Sequence, residues 1–151
     1  MNAATGLSSK TTLEHLIFLN GKNIIEVCRE FGITPQQFSD WIRKRRPVPA
    51  QRLRQLAVYF GVPADLLADE SRFAKGLSAI SAIELELIIV KNKARLAASE
   101  TEKSEMAYHE KRLKEAYNNQ LRIARLTALL DRDDPATMAK IDAFLAELEK
   151  Q

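Results

Sequence analysis

Gly32 constrains this chain more than any other residue. It sits between two runs of helical periodicity, and the residues on either side say what each run must do. Before it, Ile24, Val27, Cys28 and Phe31 recur at helical spacing, which gives a short helix one apolar face. A helix that ends by swinging into the left-handed region favours Gly, which has no Cβ to clash. Ile33 then turns inward. Thr34-Pro35-Gln36-Gln37 has the chemistry of a helix start: Thr34 accepts a free N–H, Pro35 fits the first helical position, and Gln37 can bond back to the cap. Phe38, Trp41 and Ile42 form the apolar face of the second helix. Gln36, Gln37, Ser39, Asp40 and Arg43 fall on its polar side, and Lys44, Arg45 and Arg46 follow at once. Helix, Gly, apolar residue, cap, helix is the spacing of a helix-turn-helix whose second helix reads DNA.

Asn23–Leu67 resembles the Cro/repressor-type (XRE) helix-turn-helix family. The resemblance rests on the small Cys28, on Gly32-Ile33-Thr34, on Phe38 and Trp41 at core positions of the recognition helix, and on the closing FGVPADLL of Phe60 to Leu67. Two positions depart from the family pattern. Ile24 stands where members often carry a phosphate-gripping Gln, and Pro35, at the first recognition position, has no side-chain donor. The resemblance implies an N-terminal five-helix domain over residues 11–70.

The flanking segments suit such a domain. Thr11 or Thr12 can cap a first helix that buries Leu13, Leu16, Ile17 and Leu19 and ends at Asn20-Gly21. Pro47 and Pro49 enforce an extended loop after the recognition helix. A fourth helix runs from about Ala50 to Phe60 with Leu53, Leu56, Ala57 and Phe60 inward. Gly61 stops it, and Pro63 begins a short fifth helix carrying Leu66 and Leu67. Met1–Lys10 is small and polar and is expected to be poorly ordered. Asp69–Gly76 reads as a linker.

Composition then changes. Ser81–Leu130 contains neither Gly nor Pro and is dominated by strong helix formers, with Ser81 and Glu84 placed as a capping box. A single helix of that length would reach roughly 75 Å and would need a partner along a buried stripe. Ile80, Ile83, Leu87, Val90, Ala94 and Ala97 follow coiled-coil spacing. So do Met106, His109, Leu113, Ala116, Gln120, Ile123, Thr127 and Leu130, but out of phase with the first set. Either one helix carries a local change of supercoil, or the chain turns back near Ser99–Ser104 as a hairpin. The lack of Gly or Pro at the break favours the continuous helix. Asp134 and Pro135 start a last amphipathic helix bearing Met138, Ile141, Phe144, Leu145 and Leu148. The expected fold is therefore all-α: the helix-turn-helix domain, then an oligomerisation region over residues 78–151 made of a long helix or coiled coil and a short C-terminal helix.

These features set the functional expectations. Gln36, Gln37, Ser39, Asp40 and Arg43 are candidate base contacts, because amides, carboxylates and guanidinium groups match base-edge donors and acceptors. Asn23, Thr34, Lys44, Arg45 and Arg46 are candidate phosphate contacts. Ile83, Leu87, Val90, Leu113, Ile123 and Leu130 are candidate dimer residues. The formal net charge is only +3, but the local cluster of basic residues decides the field. His15 and His109 have no ligand-spaced partner, and no phosphate loop or nucleophile–base set occurs, so neither metal, cofactor nor catalysis is expected. One cysteine leaves no internal disulfide, and no apolar run or signal-peptide pattern points to a membrane, so a cytoplasmic protein is expected. The leading expectation is a sequence-specific transcriptional regulator, a repressor, bound to double-stranded DNA as a homodimer. The alternative is a helical assembly or adaptor protein, such as a toxin-neutralising antitoxin or a phage packaging adaptor, forming a higher oligomer or holding a protein partner on its helical half, with DNA contact secondary.

Overall fold

The computed structural model describes residues 10–151, and the fold is all-α. Of Met1–Lys10, expected to be poorly ordered, residues 1–9 lie outside the described range, and the Lys10 carbonyl is held by Leu77 N–H. In order, the helices are α1 (Thr12–Leu19), α2 (Ile24–Phe31), α3 (Pro35–Ile42), α4 (Ala50–Phe60), a single 3-10 turn (Ala64–Leu66), α5 (Ala79–Leu96), α6 (Glu100–Leu130) and α7 (Pro135–Leu148). The fifth element is thus one 3-10 turn rather than an α-helix. Pro63 precedes it in extended conformation, and Leu67 right after it is buried.

Local chemistry sets each boundary. Thr11 caps α1 through a reciprocal bond with Glu14, and Asn23 caps α2 the same way with Glu26. Gly32 and Gly61 end α2 and α4 in the left-handed region, at φ 61° and 65°. Thr34 caps α3, Pro35 is its first residue, and Asp134 with Pro135 repeats this arrangement at α7.

The core gathers Leu13, Leu16 and Ile17 of α1, Val27 and Cys28 of α2, Phe38, Trp41 and Ile42 of α3, and Leu56 and Phe60 of α4. Leu85 and Ile89 of α5 belong to the same core. Asn92 of α5 also donates to the carbonyl of Gly61 at 3.2 Å, where any Cβ would meet its amide nitrogen at 2.8 Å. Residues 69–76, expected to be a linker, are instead pinned to this body. Val48 N–H donates to Arg72 C=O (2.8 Å), Thr12 N–H to Lys75 C=O (3.0 Å) and Leu77 N–H to Lys10 C=O (2.9 Å), while Ala74 is buried.

The long continuous helix is not what forms. The chain breaks at Ala97–Ser99, and α5 and α6 pack against each other as a hairpin. The break needs no Gly because Ser99 and Glu102 make a capping box that restarts the helix. The Ser99 hydroxyl accepts Glu102 N–H at 3.1 Å, and the Glu102 carboxylate accepts the N–H groups of Ala98 and Ser99. The hairpin alternative places the turn near Ser99–Ser104, but from Glu100 onward that stretch is the first turn of α6. The cap of α5 is likewise Ser78 with Ser81, not Ser81 with Glu84.

His109 Nε2 lies 3.1 Å from Glu86 Oε1, which fixes the hairpin register. That register sets the start of α5 opposite about Ala116, so roughly four turns of α6 run on beyond it. Leu113 is buried and Met106, Ala116 and Gln120 are half-buried, whereas Ile123, Thr127 and Leu130 on the same stripe are exposed.

Candidate nucleic-acid interface

α3 is held by one face and open on the other. Phe38, Trp41 and Ile42 are buried, and the Phe38 and Trp41 rings meet edge-on at 5.9 Å. The cap fixes the helix start: Thr34 Oγ1 accepts Gln37 N–H at 3.2 Å, and Gln37 Oε1 accepts Thr34 N–H at 3.0 Å. A hydroxyl has one donor besides its acceptor sites, so Thr34 keeps an O–H for a further partner. Gln37 retains its amide NH2 and one acceptor site on Oε1 for an outside contact.

Gln36, Ser39, Asp40 and Arg43 share the outer stripe, three to four residues apart. Gln36 Nε2 donates to Asp40 Oδ1 at 3.1 Å. The Asp40 carboxylate also lies 3.8 Å from Arg45 Nη1 and 3.9 Å from Arg46 Nε, while its carbonyl accepts the N–H groups of both arginines. Asp40 therefore shapes the turn after α3 and steadies Gln36. Arg43, the last residue of α3's cap, is exposed and forms no ion pair with any described residue.

Lys44, Arg45 and Arg46 are all exposed. Lys44 adopts φ 56°, which turns the chain sharply, and its ammonium lies close enough to Gly76 that a Cβ there would sit 3.5 Å away. The long, solvent-facing pairs of Arg45 and Arg46 with Asp40 contribute little stability and exchange readily for another anion. Asn23 lies apart from this stripe, at the start of α2. Its Oδ1 accepts Glu26 N–H and its own N–H donates to the Glu26 carboxylate, both at 2.9 Å. An acidic group thus already covers that helix start, leaving the Asn23 amide NH2 as its outward donor.

The candidate dimer residues divide. Val90 and Leu113 are buried within the chain, Ile83 and Leu87 are half-buried on the hairpin, and Ile123 and Leu130 are exposed on the overhang of α6.

Some working residues lie beyond the reach of sequence reasoning. Arg52 of α4 donates to the carbonyl of Phe31 at 2.9 Å and so closes the end of α2 against α4. Lys22 bonds Glu30 at 2.9 Å and lies 4.9 Å over the Tyr59 ring. The hydrogen bond raises the Lys22 pKa and lowers that of Glu30. Both contacts join distant stretches with no local signature.

No family model, curated protein or solved structure matches the chain.

Proposed function

We propose that the chain is a sequence-specific double-stranded-DNA-binding regulator, a repressor acting as a homodimer, with residues 34–43 in the major groove. One observation carries this reading. Gln36, Arg43 and the basic turn Lys44–Arg46 are exposed together beside the half-buried Ser39, on a helix fixed by its cap and core, and among the described residues no other helix covers them. The resemblance of Asn23–Leu67 to Cro/repressor domains supports it. In this reading Gln36 and Arg43 present donors to base edges, and Thr34, Lys44, Arg45 and Arg46 hold phosphates. Asp40 positions Gln36 and the two arginines. One such helix spans a half-site, so two copies are needed, with their recognition helices about 34 Å apart or a multiple of that.

The test is enrichment of duplexes from a random pool by the full chain. The reading expects a two-fold-symmetric site with half-sites separated by whole helical turns. Recovery of the input distribution would refute sequence-specific binding.

The apolar surface left open on α6 and α7 favours a second reading, an assembly or adaptor protein with DNA contact secondary. Mass in solution separates the two. A dimer accords with the first, and a ring of many subunits with the second.

A further inference from the structure

The last turns of α6 and the outer half of α7 leave six large apolar side chains without cover. Ile123, Leu126 and Leu130 on α6 and Phe144, Leu145 and Leu148 on α7 are each between 47 and 57% exposed. They are not scattered. On α6 they recur at steps of three and four, and on α7 the series Met138, Ile141, Leu145, Leu148 does the same. Within one chain α7 meets α6 sparsely: Met138 and Ile141 are half-buried, and Phe144, Leu145 and Leu148 beyond them are exposed.

We propose that this face is the dimer interface, filled by a second copy of the chain in a two-fold pairing in which the α6 overhang of each protomer receives α7 of the other. Charge complementarity argues for a copy of this chain. Residues 117–130 carry Arg122 and Arg125 and no acid, whereas α7 carries Asp142 and Glu147 against Lys140, with Glu149 at its C-terminal cap. A basic helix facing an acidic one, twice, is what a two-fold axis generates from this single sequence. The area is also sufficient. Six half-exposed side chains, at roughly 80 Å² each, give about 500 Å² per copy and about 1,000 Å² per pair, the floor for a specific interface. Flanking polar atoms add to this. The product is a four-helix cluster of two α6 ends and two α7 helices. It deepens the homodimer reading above by placing the second copy, and it stands whether or not α3 binds DNA.

Sedimentation velocity on the full chain tests it. The wild type should sediment as a dimer of 17.1 kDa chains. Leu126→Glu with Leu145→Glu should weaken association by about a hundredfold while circular dichroism retains the helical signal. A charge exchange guards against misfolding of that variant. R122E/R125E places acid against acid, and D142K/E147K places base against base, so each alone should be monomeric. Mixed, they should form a heterodimer in which both contacts are again complementary. A wild type that is monomeric at tens of micromolar, a larger closed ring, or no heterodimer on mixing would each overturn the proposal.

Discussion

At Gly32 a positive φ of 61° meets open space, so the position excludes side chains by backbone strain and not by crowding. Gly32→Ala should therefore cost about 1 kcal/mol in denaturant unfolding, from strain alone, and should leave the spectrum of the folded state unchanged. Cys28 is almost wholly buried, and burial pushes its thiol pKa up. A thiol reagent should label it slowly in the native protein and rapidly in denaturant, and equal rates would refute its placement. His15 responds to pH. Burial lowers its pKa below 6.5, Lys10 adds to the lowering, and Glu86 opposes it. The folded chain then favours the neutral ring, and the unfolded chain takes up the proton first as pH falls. Its contribution is complete above about pH 6.5 and is lost as pH falls through that value toward the lower folded one. The denaturation midpoint should drop as pH falls below about 6.5, and His15→Gln should flatten the drop. Residues whose role is local were readable from sequence, as Gly32, Thr34 and Asp134 show. Arg52 was not, because its partner carbonyl lies 21 residues away.

Among the elements, the boundaries set by Thr34, Gly32, Gly61 and Asp134 were legible, and the cap of α5 and the α5–α6 hairpin were not. A break without Gly or Pro looks like helix to any propensity argument. The signal was nonetheless present in Ser99-Glu100-Thr101-Glu102, a capping box inside a run of helix formers. The hairpin also divides the apolar stripe of α6 into two parts with different work. Leu113→Ala, in the covered part, should cost about 3 kcal/mol of stability. Ile123→Ala, on the overhang, should change the stability of the monomer little and act on self-association. Thermal unfolding of the two variants side by side checks this, and equal losses would contradict the division.

For the whole molecule, the core does not stop at Leu67. Leu85 and Ile89 close it from α5, and Asn92 latches α5 to the end of α4. A chain cut after Glu70 should therefore expose that core and lose cooperative unfolding, whereas one ending at Leu96 should keep it. No local pattern announced this sharing, since it joins α5 to helices tens of residues earlier. α5 thereby anchors the α6 overhang to the body that carries α3, and in the homodimer proposed above that rigid link would set the spacing of the two α3 helices. The most direct test of the DNA reading compares wild type and Arg43→Ala on an enriched duplex and on a random one, at one salt concentration. The account predicts a loss of about tenfold or more on the enriched duplex and a much smaller loss on the random one. Equal losses on both would contradict base reading by α3 and leave Arg43 as a phosphate contact.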